Sequence, residues 1–98
     1  MPTSTDELLK ATEAARALLD QLRLSAYTFE VEPREGEWEV RVECAVPEGW
    51  QRSVLAADKA LLLASAQDPA SRARLLAEWG QHLASCRRDK DRPIGVGP

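Results

Sequence analysis

The sequence predicts a single α+β domain in which helices cover one face of an antiparallel β-hairpin. Three observations predict this class: a helical apolar pattern near the start of the chain, two alternating runs either side of residues 33–36, and helical patterns after residue 50. The predicted order is α-β-β-α-α. With 98 residues, of which 44% are hydrophobic and 30% charged, the chain has the composition of one folded globular domain.

The first helix is predicted over residues 5–23. Ser4 and Glu7 fit a capping box, which satisfies backbone N–H groups at a helix N-terminus. Apolar or small residues then recur at alternating spacings of four and three, which aligns their side chains on one face of a helix. This core-facing stripe consists of Leu8, Thr12, Ala15, Leu19 and Leu22, widened by Leu9, Ala11 and Leu18.

The hairpin is predicted over residues 27–46. Two runs in which apolar and polar residues alternate are separated by Pro33 and Gly36, residue types that favour turns. Because an isolated two-stranded hairpin is marginally stable, its apolar face must be covered by helices, and dimerisation could extend the sheet. That face carries Tyr27, Phe29, Val31, Trp38, Val40, Val42 and Cys44.

Two further helices are predicted after the turn at residues 47–49. The segment 51–66 is apolar around most of a helical circumference, and its alanines argue against a strand. The last helix, over residues 69–88, begins with Asp68 as N-cap and Pro69 at its first position. The domain therefore spans residues 1–88, and residues 89–98 are predicted to form an extended or mobile tail. The core stripe of the last helix is Leu75, Leu76, Trp79, His82, Leu83 and Cys86.

The cysteines, the N-terminal segment and the apolar runs predict a cytoplasmic location. The two cysteines, Cys44 and Cys86, form no CxxC pair and are too few to indicate a disulfide scaffold, so both are predicted to be buried thiols. The N-terminal segment is charged and amphipathic, which is not typical of a signal peptide. The longest apolar run is too short and too polar to span a membrane.

No residue pattern indicates catalysis or a cofactor. His82 and Cys86 stand four residues apart on a predicted helix, a spacing that suits two metal ligands. The chain has only one His and two Cys, so a structural zinc site lacks a fourth ligand of these types, and core packing is the preferred role. Nucleophile and phosphate-binding motifs do not occur. We therefore predict that the protein is not an enzyme and uses no metal or cofactor.

The polar face of the hairpin carries more glutamates than arginines. This face is either solvated or a surface for a basic protein, and the net charge of −3 argues against a general nucleic-acid binder. Trp50 is expected at a corner, where it either packs at the start of a helix or, with a neighbouring arginine, forms a binding hot spot. The candidate interaction residues are Glu30, Glu32, Glu39, Arg41, Glu43, Trp50 and Arg52.

The leading functional prediction is a small non-catalytic protein-interaction module: an adaptor, an inhibitor or a subunit of a larger complex. It would bind a protein partner through a sheet edge or the acidic hairpin face, and pairing of two copies would give a homodimer. The alternative is a nucleic-acid-associated regulatory protein that uses the basic end of the last helix, Arg87 and Arg88. Nucleic acid is the less favoured partner, because the neighbouring aspartates repel phosphate. No membrane partner is predicted.

Overall fold

A computed structural model describes residues 5–87 and confirms the α+β class. It contains a three-stranded antiparallel sheet with helices against one face, so the observed order is α-β-β-β-α-α. The predicted two-stranded hairpin is therefore wrong in its strand number. The elements are α1 (Thr5–Gln21), β1 (Tyr27–Arg34), β2 (Glu37–Val46), β3 (Gly49–Asp58), α2 (Lys59–Ala64), α3 (Pro69–His82) and a 3₁₀ turn, η1 (Ala84–Cys86).

The hairpin of β1 and β2 forms where the alternating pattern predicts it. The two strands are joined by Glu35 and Gly36, whose φ angles are 24° and 84°. Two-residue hairpin turns favour positive φ because their twist then matches that of the strands. The resulting register places Val31 opposite Val40 and Phe29 opposite Val42, so the apolar residues of both strands share one face.

The segment predicted as a helix over residues 51–66 is instead mostly strand. Pro47 and Glu48 form a second short turn, and β3 then pairs with the whole of β2, from Gly49 opposite Val46 to Asp58 opposite Glu37. The chain becomes helical only at residue 59, where the Asp58 side chain caps α2. The low strand propensity of alanine is a weak preference, and here pairing with the edge of β2 overrides it.

The core lies between the helices and one face of the sheet. Strand β2 buries alternate residues from Trp38 to Cys44 on that face, and β3 buries Leu55 and Ala57. Helices α1, α2 and α3 bury their apolar stripes against it. The core positions predicted for Trp38 and Trp79 are confirmed, whereas Leu9 is 57% exposed. The sheet contributes Trp38, Val40, Val42, Cys44, Leu55 and Ala57, and the helices contribute Ala11, Ala15, Leu18, Leu19, Leu62, Leu75 and Trp79.

The last helix ends at His82, six residues before its predicted end at residue 88. His82 is exposed, so its predicted place on the core stripe is wrong, and the chain turns into η1 to bury Leu83 and Cys86. Cys86 forms a disulfide with Cys44, at a Cα–Cα distance of 5.8 Å. Both cysteines are buried as predicted, but the prediction that they are free thiols is wrong. They are 42 residues apart in the sequence, so they become neighbours only when the sheet and helices assemble.

Some predictions concern residues outside 5–87. Ser4, the predicted cap of α1, and the tail at residues 89–98 both lie outside the described part of the chain. Within residues 5–87, no helix is long and apolar enough to cross a membrane.

Candidate interaction surface

The face of the sheet turned away from the helices, here called the outer face, collects all seven candidate interaction residues. They come together because side chains alternate along a strand and the three strands pair in continuous register. The outer face consists of Thr28, Glu30, Glu32 and Arg34 from β1; Glu37, Glu39, Arg41, Glu43 and Ala45 from β2; and Trp50, Arg52, Val54, Ala56 and Asp58 from β3.

Arg41 lies at the centre of an ion-pair network on the outer face. Its Nη2 is 2.9 Å from a carboxylate oxygen of Glu30 and 2.9 Å from one of Glu32, and its Nη1 is 3.2 Å from Glu39. Arg34 adds contacts to Glu32 at 3.4 Å and to Glu39 at 3.2 Å. The hydrogen bonds and charge of Arg41 lower the pKa of Glu32. In turn, the hydrogen bonds and charges of Glu32 and Glu30 raise the pKa of Arg41. The Glu32 carboxylate is therefore held in its ionised form by Arg41.

Arg52 forms a second ion pair on the same face. Its Nη2 is 2.6 Å from Glu43, which is opposite it on β2. The two arginines, Arg41 and Arg52, border a shallow depression of about 430 Å³ that also reaches Thr28 and Phe29 on β1. The centre of the outer face therefore consists of paired charges, and its glutamates outnumber its arginines, as the sequence indicates.

An exposed apolar strip runs along β3. Trp50 is 66% exposed and Val54 is 59% exposed, and both point to the outer side, as does the small, exposed Ala56. Trp50 does not pack at the start of a helix, since it lies inside a strand. The sequence does not single out Val54, because the helix predicted for this segment hides that Val54 shares one face of a strand with Trp50 and Arg52. We call Trp50, Val54 and Ala56 the β3 strip.

The backbone of β3 directs every second residue's polar groups away from β2. The Lys59 N–H donates to the Gly36 carbonyl at 3.2 Å, which identifies their position in the ladder as a hydrogen-bonded pair. Because such pairs alternate in antiparallel sheets, the odd-numbered residues of β3 bond to β2. The even-numbered residues, including Val54, therefore turn their N–H and C=O groups toward the open edge. These groups are the ones that an added strand would use.

The opposite edge of the sheet, at β1, is less suited to an added strand. The Ala45 N–H donates to the Ala26 carbonyl at 2.9 Å, so even-numbered residues of β1 bond to β2 and the odd-numbered residues face outward. One of these is Pro33, which has no N–H to donate. Proline on an edge strand is a common protection against further pairing. Strand β3 contains no proline, so it is the more receptive edge.

A groove of about 510 Å³ lies between α1 and the turn that joins α2 to α3. Its floor is apolar, with Ala14, Leu18 and Leu63, and Arg72 stands at its rim. The Arg72 guanidinium donates to the carbonyls of Ser65 at 3.0 Å and Ala66 at 3.4 Å. This arginine therefore closes the α2–α3 turn, which is a structural role.

The His82–Cys86 metal pair considered from the sequence is not formed. The Cys86 sulfur is bonded to Cys44 and buried, whereas His82 is exposed at the end of α3. Within residues 5–87, no group of three or more His, Cys, Asp and Glu side chains is arranged to hold a metal ion.

Comparisons of this chain with protein-family models, with curated proteins and with solved structures found no match. Arguments about function therefore rest on the outer face and on the edge of β3. These two features adjoin each other, because the β3 strip belongs to both.

Proposed function

We propose that the protein is a non-catalytic interaction module that binds another polypeptide as a strand added to β3. The observation that supports this proposal is the edge itself: the residues of β3 with outward backbone groups also carry the exposed side chains of Trp50 and Val54. In strand addition, main-chain hydrogen bonds supply affinity and alternate side chains supply specificity. An adaptor, an inhibitor or a subunit of a larger complex would each use such an edge.

The outer face favours a protein partner over nucleic acid. Its carboxylates outnumber its arginines, and the chain as a whole carries a net charge of −3. Phosphate would be repelled, whereas a strand with apolar residues opposite the β3 strip and basic residues near Glu43 or Asp58 would complement the surface. A second copy of the chain is one such protein partner, as the predicted homodimer requires.

The disulfide bears on where this binding takes place. The cysteine pattern, the N-terminal segment and the apolar runs predict the cytoplasm, but protein disulfides are rare there and persist in oxidising compartments. The buried Cys44–Cys86 bond therefore favours an oxidising compartment, and we propose that location in place of the cytoplasmic one.

A displayed library of random linear peptides tests the proposed function. We expect selected peptides to alternate apolar and polar residues and to slow amide hydrogen exchange at the even-numbered residues of β3. Val54→Pro should abolish their binding, because it removes an N–H that faces the edge and leaves the ladder with β2 intact. Trp50→Ala should weaken binding by about tenfold or more, as is typical of an exposed aromatic hot spot.

The matched control is Leu9→Ala, which removes a side chain of similar exposure on α1 and should leave peptide affinity unchanged. Circular dichroism checks that each variant keeps the fold. Peptides that protect the α1 groove instead of β3, or that bind Val54→Pro as tightly as the original chain, would contradict strand addition at this edge.

A further inference from the structure

We infer that a second copy of this chain occupies the β3 edge, so that two β3 strands pair antiparallel about a two-fold axis at Val54. This inference rests on the proposed function and names the partner of the same site. The pairing would join two three-stranded sheets into one continuous sheet, with both outer faces on the same side.

The hydrogen-bond pattern of β3 permits this register. With the axis at Val54, that residue lies opposite its own copy, Arg52 lies opposite Ala56, and Trp50 lies opposite Asp58. All of these are even-numbered positions, whose backbone N–H and C=O groups point toward the open edge. Each opposed pair therefore exchanges two hydrogen bonds, and the ladder extends over residues 50–58 of both copies.

The side chains of β3 complement one another in the same register. No two like charges stand directly opposite, and the exposed Val54 side chains cover each other at the axis. Arg52 lies diagonal to Asp58 of the second copy, a separation of about 7–8 Å between backbones that long side chains can bridge. The exposed indole of Trp50 lies diagonal to Ala56 of the second copy, where a small residue leaves space for it.

Neighbouring registers are less favourable. An axis at Ser53 places Asp58 opposite Glu48, and an axis at Arg52 places that arginine opposite itself, so like charges meet in both cases. An axis at Leu55 shortens the ladder to residues 52–58 and leaves Trp50 opposite α2 instead of a strand. Opposed like charges therefore count against the axes at Ser53 and Arg52. The axis at Leu55 places Arg52 opposite Asp58, an attractive pair, and only its shorter ladder counts against it.

Cysteine cross-linking tests the pairing and its register. Opposed residues of a hydrogen-bonded antiparallel pair have Cα atoms about 5.5 Å apart, within the range that a disulfide spans. Val54→Cys should therefore form covalent dimers under mild oxidation. Arg52→Cys and Ala56→Cys should each remain uncrosslinked alone, but a mixture of the two should form heterodimers. The native cysteines are paired and buried, so they do not interfere.

Light scattering after size exclusion provides the second measurement. We expect the original chain to elute with twice the mass of one chain at micromolar concentration, and Val54→Lys, which opposes two lysines at the axis, to lose the dimer. A monomeric original chain, or links that form with Arg52→Cys alone as readily as with Val54→Cys, would overturn the inference. If such a monomer still bound selected peptides at β3, only self-pairing would fail; loss of both would remove the proposed function too.

Discussion

The ion pairs of Arg41 explain how the sheet tolerates its many glutamates. Glu32 and Glu39 are directly opposite each other on β1 and β2, an arrangement that destabilises a sheet when both side chains are charged. Arg41 contacts both carboxylates, and Arg34 contacts both from the other side. Both glutamates thus form ion pairs within the protein, although Glu32 and Glu39 belong to the face that the sequence suggested for a basic partner. A binding role for them remains a prediction.

Tyr27 should titrate at unusually high pH. Burial, followed by the hydrogen bond that its hydroxyl donates to Asp20 at 2.6 Å, raises its pKa from 10.0 to about 12. Because the folded state favours the protonated phenol, the stability that this shift contributes is complete below pH 10 and is lost as the pH rises to about 12. Tyr27 is the only tyrosine in the chain, so phenolate absorbance reports it alone.

Replacing Asp20 tests the cause of this shift. Asp20→Asn should bring the Tyr27 pKa part of the way back toward its ordinary value, because the charge is removed and burial remains. Asp6→Asn, at the other end of α1, is the matched control and should leave the titration unchanged. An unaltered Tyr27 titration in Asp20→Asn would show that burial alone raises the pKa.

Strand β3 marks the limit of what the sequence could predict about the fold and the surface. The hairpin was predictable, because Trp38, Val40 and Val42 alternate with charged residues and thus carry a strong period of two. In β3, the run from Val54 to Ala57 is apolar at every position, so no alternation separates its two faces. Only its pairing with β2 defines which residues of β3 lie on the outer face, so the sequence alone does not indicate the β3 strip.

One signal for the third strand was present in the sequence. Pro47 and Gly49, at and beside the second turn, repeat the residue types of Pro33 and Gly36 around the first turn. The sequence identifies the candidate residues on β1 and β2 because its alternating pattern predicts these two strands. Trp50 and Arg52 were chosen for their residue types, and only the strand places them beside Val54.

Neighbouring residues of β3 should differ sharply in their effect on stability. Leu55 is 2% exposed and faces the helices, so Leu55→Ala should lower the free energy of unfolding by about 2–5 kcal/mol. Val54→Ala, on the exposed side, should change it by less than about 0.5 kcal/mol. Urea unfolding followed by tryptophan fluorescence, at protein concentrations low enough to disfavour association, measures both. Equal losses at the two positions would contradict the strand and favour the helix predicted for this segment.

A disulfide and backbone hydrogen bonds together hold residues 86 and 87, at the end of the described part of the chain, against the rest of the fold. The Cys44–Cys86 disulfide ties η1 to β2, and the Ser25 N–H donates to the Cys86 carbonyl at 2.9 Å. Leu24 and Arg87 form an isolated β-bridge beside it. These contacts join the connection after α1 to the end of the described chain, where Leu83 and Cys86 are buried.

Reduction of the disulfide should therefore destabilise the fold strongly. Because the bond joins residues separated by 42 positions, its loss should lower the free energy of unfolding by roughly 4 kcal/mol, through the greater entropy of the unfolded chain. Urea unfolding with and without a reductant measures the change, and a variant with both Cys44→Ala and Cys86→Ala should not respond to the reductant. Equal midpoints for the original chain in both conditions, or two thiols titrated in denaturant without reductant, would contradict the bond. The oxidising location inferred from it would then lose its support.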